Sequence, residues 1–209
     1  MPEEENPALG LRGIRLCIAR QALLVEQLRA ILAVQPLSAV KIMLPMVVDA
    51  SEIVATRVVL DRLTAEMGIA GRVELGVMIE TPSAAILADQ LAKEADFFSV
   101  GTNDLTQYAL CMDRTNPALA ARVDGLHPAV LRLLAQAAQG AAKHGKWLGV
   151  CGAIASDPVA VPLLIGLGVT GGLLALGIGF GATAGVPYAR LQIAGVLDGA
   201  EGQPARFPK

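Results

Sequence analysis

Two carboxylates, Glu80 and Asp104, each stand just beyond a short apolar run, and together they offer the hard oxygen ligands that suit a magnesium ion. The competing role for each is to cap the helix that follows. Arg12 and Arg114 fall in loop-like stretches. A guanidinium grips phosphate or carboxylate through paired hydrogen bonds, although a solvated surface arginine is the commoner outcome. Lys41 lies within another apolar run, Asn103 precedes Asp104, and Cys151 closes a fourth run just before Gly152. Cys151 either faces a site or packs inertly, while Cys17 and Cys111, on helical stretches, read as packing residues. His127 and His144, the only histidines, read as helix-start and helix-end residues without a catalytic partner. Histidine-centred chemistry is therefore disfavoured.

The elements that must carry these residues follow from periodicity. Residues 16–34 are apolar at helical spacing with Arg20, Glu26 and Arg29 interspersed, which predicts an amphipathic helix ended by Pro36. Runs at 40–46, 73–79, 97–101 and 147–151 predict four buried strands. Between them, Asp49 with Glu52 three residues later resembles a capping box for a helix to about residue 67. Thr81-Pro82 opens a helix to about residue 94, and after Thr102-Asn103-Asp104 a shorter helix runs to about residue 112. His127-Pro128 opens one that ends near Gly145, and Asp157-Pro158 opens the last, over 159–167. Strand and helix alternate, and the strands are apolar enough to be covered on both faces, which predicts an α/β fold built on a parallel sheet. Ligands in such folds meet the carboxyl ends of the strands, so one mouth is expected to gather Lys41, Glu80, Asn103, Asp104 and Cys151.

Composition narrows the function classes. The 209 residues suffice for one domain with a real core. A net charge of −2 supplies no basic field for nucleic acid. Three widely spaced cysteines form neither a metal knuckle nor a disulfide framework, and the start is acidic rather than signal-like, so a cytoplasmic setting is expected. Residues 158–189 carry no charge and are long enough to span a bilayer, but Pro162, Pro187 and the eight glycines within 166–185 weaken a continuous helix, so a membrane span is disfavoured.

The segments Asn6-Pro7-Ala8-Leu9-Gly10-Leu11-Arg12-Gly13-Ile14-Arg15, Lys41-Ile42-Met43-Leu44-Pro45-Met46 and Gly76-Val77-Met78-Ile79-Glu80-Thr81-Pro82 are joined by Gly101-Thr102-Asn103-Asp104-Leu105-Thr106-Gln107-Tyr108, Asp113-Arg114 and Gly149-Val150-Cys151-Gly152. In that order they resemble the phosphoenolpyruvate-binding domain of the sugar phosphotransferase enzyme I family, shared with the multiphosphoryl transfer proteins; the likeness runs over residues 6–169. It implies a (β/α)8 barrel of which this chain carries only part, lacking the first strands. A partial domain is thus expected over 1–169, with an atypical Gly-rich tail over 170–209.

By the same resemblance, Glu80 and Asp104 hold Mg2+, Arg12, Lys41 and Arg114 bind substrate, Asn103 orients it, and Cys151 protonates the enolate as pyruvate forms. The phosphoryl group passes to a histidine on a separate domain and onward to a phosphocarrier protein, serving sugar uptake. Full-length relatives are expected to pair as homodimers through this domain. The sequence also departs from the family: Lys41 stands where arginine is frequent, retaining charge but losing the planar fork, Ala153 replaces a glutamate and Thr115 a glycine. Missing strands and a tail that matches nothing leave two alternatives, a non-catalytic remnant acting only in association and a membrane-tethered module.

Overall fold

The structure is a computed structural model that describes residues 4–170 and the pair Val196–Leu197. Its frame is four parallel strands, β1 (Val40–Leu44), β2 (Glu74–Ile79), β3 (Phe98–Gly101) and β4 (Leu148–Cys151), which lie side by side in chain order. A doubly wound sheet reverses its strand order at a switch point, whereas a barrel adds each strand beside the last. The described strands follow the second pattern, so the α/β fold is a sector of a (β/α) barrel. Each strand fits the apolar run that predicted it to within two residues.

The helices between them start where the local chemistry says. Before α3 (Ala50–Glu66), the Asp49 carboxylate accepts the Ser51 N–H at 2.8 Å, and Glu52 Oε2 accepts the Val48 and Asp49 N–H groups, so the expected capping box is present. The Thr81 hydroxyl caps α4 (Pro82–Ile86) by accepting the Ala84 N–H, and it donates to the Val47 carbonyl, tying this helix start to the loop after β1. The helix expected to run on to residue 94 is divided at Leu87 into α4 and α5 (Ala88–Leu91). There α7 (Pro128–Lys143) comes so close that a Cβ on Gly140 would lie 2.6 Å from the Asp89 amide nitrogen. The helix expected at 16–34 is likewise divided, into α1 (Ile14–Ala19) and α2 (Gln21–Leu32), at Arg20, whose φ of −124° and ψ of 72° are not helical. The short α6 (Thr102–Leu110) and α8 (Ala160–Gly166) complete the set.

Alternation along the strands divides the sheet into two unlike faces. Ile42, Leu44, Leu75, Val77, Ile79, Phe98, Val100, Leu148 and Val150 are fully buried with the helices in one main core. Met43, Met78 and Phe97 form a second cluster with Trp147 and Cys151. The Phe97 and Trp147 rings stack with centroids 4.6 Å apart, in the offset manner aromatic pairs favour. Directly after α8, the Thr170 N–H donates to the Leu148 carbonyl and its hydroxyl accepts the Leu148 N–H, so the chain turns back alongside β4. On the other edge, β5 (Val196–Leu197) pairs antiparallel with Val40 and Lys41, which makes the sheet mixed rather than purely parallel. The rest of the expected tail lies outside the described residues, as does 171–189 of the charge-free stretch. Among the described residues no helix is long and apolar enough to cross a membrane.

Candidate functional site

Glu80 follows β2 directly and Asp104 lies in the first turn of α6, which leaves β3 without a linker, so the two acids arrive at the carboxyl ends of adjacent strands. Glu80 is only 4% exposed. Its Oε1 accepts the Met46 N–H at 2.6 Å, and Met46 presents that N–H from a left-handed conformation with φ of 60°. A non-glycine residue held there costs on the order of 1 to 3 kcal/mol, a strain that recurs at functional sites. Gly101 leaves room for the acid: a Cβ there would sit 3.0 Å from both Glu80 Cβ and Oε2. Burial, and then the charge of Asp104, push the Glu80 carboxyl up to about 7, against the opposing pull of the Met46 N–H and the two arginines.

Asp104 sits between two guanidiniums. Arg12 Nη2 lies 3.5 Å from Oδ1 and Arg114 Nη2 lies 3.5 Å from Oδ2, distances of ion pairing without a formed hydrogen bond. Oδ1 is buried and accepts no hydrogen bond from any described group, an orphan acceptor beside a second carboxylate. The arginines remain 37% and 40% exposed at their side chains, so both can meet a ligand from solvent. Arg114 is carried by the loop after α6, where its N–H donates to Gln107 Oε1. Arg12 precedes α1, whose Ile14 N–H donates to the Pro45 carbonyl at the end of β1.

Asn103 and Cys151 meet across the neighbouring strand end. Asn103 Oδ1 accepts the Ala153 N–H at 3.3 Å, and the Thr102 hydroxyl donates to the Cys151 carbonyl. Gly152 is required between them: its φ is +108°, and a Cβ would fall 2.5 Å from Thr102 Oγ1. The Cys151 thiol donates to the Val100 carbonyl, and burial pushes it up to about 11, with the Glu80 and Asp104 charges adding to the effect. Such a thiol keeps its proton at neutral pH, which suits a proton donor and not a thiolate nucleophile.

Lys41 is not at this rim. It is the second residue of β1, paired in register with Glu74 at the start of β2, and its Nζ lies 2.5 Å from Glu74 Oε2 and over the Phe97 and Trp147 rings. From Glu74 to Glu80 the strand rises roughly 20 Å at ~3.3 Å per residue, so Lys41 belongs to the amino-terminal end of the sheet. Of the five residues expected at a single mouth, Glu80, Asn103, Asp104 and Cys151 lie at the carboxyl ends of neighbouring strands, where Arg12 and Arg114 join them, whereas Lys41 does not. An apolar run shows that a strand exists without saying which end of it a residue serves. Two participants were missed: the main-chain N–H of Met46, which leaves no trace in a sequence, and Tyr108, whose hydroxyl accepts from Arg12 Nη1 at 3.1 Å. Its place four residues after Asp104, on the same helix face, was the available signal.

The donor set fits Mg2+. Two carboxylates, one with an unused buried oxygen, supply the hard oxygen ligands that suit an ion which keeps waters and takes further oxygens from a substrate; among the described residues no group of three or more metal-binding side chains forms.

The family described as PEP-utilising enzyme, PEP-binding domain, matches residues 1–171. Among curated proteins, a multiphosphoryl transfer protein of Xanthomonas campestris pv. campestris is 51% identical over 170 residues, covering 81% of this chain and 20% of that protein. A phosphoenolpyruvate-protein phosphotransferase of Listeria monocytogenes is 47% identical over 174 residues, and one of Bacillus subtilis is 42% identical; each match covers 81% of this chain and 30% of the relative. The chain therefore spans less than a third of the curated relatives it matches. Among solved structures, a citrate lyase from Burkholderia xenovorans LB400 superposes with a TM-score of 0.49 and 20% identity over 71% of this chain and 56% of that one.

Proposed function

We propose, because this chain belongs to the family of PEP-utilising enzymes as their PEP-binding domain, that it is the phosphoenolpyruvate- and Mg2+-binding portion of a phosphoenolpyruvate-protein phosphotransferase. The observation that carries the proposal is the position of Asp104 between two half-exposed guanidiniums, beside a buried Glu80. A small ligand with several negative charges needs cations to receive it and carboxylates only if a divalent ion comes with it, and this rim offers both.

In this reading Glu80 and Asp104 hold Mg2+, which when bound supplies charge neutralisation for the carboxylate and phosphate oxygens of the substrate. Arg12 and Arg114 grip the phosphoryl oxygens. Phosphoryl transfer is largely dissociative, so alignment and charge clamps contribute more than covalent help from the protein. Asn103, at the exposed start of α6, orients the substrate with the neighbouring amides. The bond from phosphorus to the enol oxygen breaks as a bond from phosphorus to a histidine nitrogen of a separate domain forms. The methylene carbon of the enolate takes the proton of Cys151 Sγ, pyruvate leaves, and the thiolate recovers a proton from solvent. A thiol held near 11 remains charged with that proton until the strongly basic enolate carbon is presented. Onward transfer to a phosphocarrier protein, sugar uptake and a cytoplasmic setting follow from the same proposal, as does the partition into a domain over 1–169 and an atypical Gly-rich tail over 170–209.

Titration calorimetry with oxalate, a mimic of the pyruvate enolate, tests the reading. The 209-residue chain is expected to give heat with oxalate in the presence of Mg2+ and none with excess EDTA, and Asp104→Ala is expected to lose the Mg2+-dependent heat. Binding that ignores Mg2+, or that survives in Asp104→Ala, would show that the carboxylates have another task.

A further inference from the structure

The guanidinium of Arg12 is held from two sides, and only one of them carries charge. Nη2 faces Asp104 Oδ1 at 3.5 Å, while Nη1 donates to the Tyr108 hydroxyl at 3.1 Å. The same hydroxyl donates its own proton to the Ala8 carbonyl, four residues before Arg12 in the same segment. One phenol thus ties both the head of Arg12 and the backbone that carries it to α6, the helix that also presents Asp104. Asp104 and Tyr108 are four residues apart and share one helix face, so the acid and the hydroxyl meet the guanidinium as a rigid pair.

A hydroxyl and a carboxylate at this position would do different things. A second carboxylate would hold Arg12 more tightly, but it would cancel the positive charge that an incoming anion needs. A phenol fixes the direction of the fork and leaves the charge available. Burial and the two nearby carboxylates hold the Tyr108 hydroxyl above its ordinary range, so it stays protonated and can donate to Ala8 while accepting from Arg12. Further along the segment, Gly13 adopts φ of +58° and lies so close to Met46 that a Cβ would stand 2.7 Å from Met46 Cβ. The far end of the segment is therefore fixed as well, and Tyr108 supplies the hold at its near end.

We infer that Tyr108 is a positioning residue for phosphoenolpyruvate, aiming the Arg12 guanidinium at the phosphoryl group without neutralising it. The inference rests on the substrate reading above. It concerns only the phosphoryl half of the ligand, which makes the two separable: oxalate has no phosphoryl group and reports on the metal and carboxylate half.

The test is a double-mutant cycle of Tyr108→Phe and Arg12→Ala, with phosphoenolpyruvate and oxalate each titrated calorimetrically in Mg2+, and with thermal midpoints measured alongside. Tyr108→Phe is expected to weaken phosphoenolpyruvate about 5- to 10-fold, the loss associated with one ordinary net hydrogen bond, and to leave oxalate within about twofold. In the double variant the affinity for phosphoenolpyruvate is expected to equal that of Arg12→Ala within about twofold, because the hydroxyl acts only through that arginine. If Phe lowers the thermal midpoint, Tyr108→Met, which fills similar space without a hydroxyl, replaces it in the cycle. Unchanged phosphoenolpyruvate affinity, equal losses for both ligands, or additive losses with Arg12→Ala would each overturn the positioning role. A parent chain that binds no oxalate with Mg2+ would overturn the substrate reading and this inference with it.

Discussion

Replacing Glu80 by Gln is expected to stabilise the metal-free protein at alkaline pH while abolishing Mg2+ binding. The free Glu carboxyl, ordinarily at 4.5, is raised to about 7 in the fold, chiefly by burial and then by the charge of Asp104. A raised carboxyl means that the folded state binds this proton more tightly than the unfolded chain does. Its contribution to stability is complete below about pH 4.5, declines as pH rises through about 7, and is gone above that. At ~1.36 kcal/mol per pH unit the span amounts to roughly 3 kcal/mol, a large share of the stability of a small domain. A glutamine has no charge to desolvate, and its Oε1 can still accept the Met46 N–H that Glu80 accepts now. Urea denaturation in EDTA, read by circular dichroism between about pH 5 and pH 8, measures the effect. The variant is expected to match the parent near the acidic end and to exceed it by up to roughly 3 kcal/mol at the alkaline end. Adding Mg2+ at about pH 8 is expected to raise the parent's midpoint by ligand linkage and leave the variant's unmoved. A variant less stable than the parent at alkaline pH, or a difference that does not vary with pH, would refute the claim that burial of a charge dominates at this position.

Thiol chemistry provides an independent check: with Cys151 pushed up to about 11 and buried Cys17 also raised, iodoacetamide at about pH 8 is expected to modify the exposed Cys111 first, as peptide mass mapping would reveal. Modification of Cys151 at a rate equal to that of Cys111 would argue against a held proton. In a system reconstituted with the phosphohistidine domain, Cys151→Ala is expected to bind oxalate with Mg2+ normally and to release pyruvate at least ~100-fold more slowly, measured by coupled pyruvate reduction. Gly140→Ala is expected to cost about 1 to 3 kcal/mol in urea denaturation, because the added methyl meets the Ala88–Asp89 backbone and the Ala88 Cβ, which cannot swing aside; a loss below about 0.5 kcal/mol would show that α7 can shift.

The strands were legible in the sequence because a parallel strand covered on both faces is written as an uninterrupted apolar run. The helix starts were legible because Asp49 with Glu52, and Thr81 with Pro82, are local signals that owe nothing to the rest of the fold. The breaks at Arg20 and Leu87 were not, since both lie inside segments whose composition remains helical. For the site, Glu80, Asn103, Asp104 and Cys151 were found as residues ending apolar runs, whereas Arg12 and Arg114 were singled out by charge in loops. Lys41 was misplaced because the same run that contains it gives no direction. The Met46 N–H and the two-sided hold on Arg12 depend on the packing of one loop against another, at separations along the chain that no local pattern records.

The strand order also bears on how the chain finds its fold. Because each parallel strand pairs with the one that comes next in the chain, the β1–β2 and β2–β3 registers close over the shorter stretches of sequence, whereas β3–β4 must wait for the long connection through α6 and α7, and β1–β5 for most of the chain. Contacts of low sequence separation lose less chain entropy before they gain pairing energy, so the first three strands form a natural early nucleus. Glu80 and Asp104, which follow β2 and β3 directly, would then be in place at an early stage, and the Cys151 end of the rim would be completed when β4 docks.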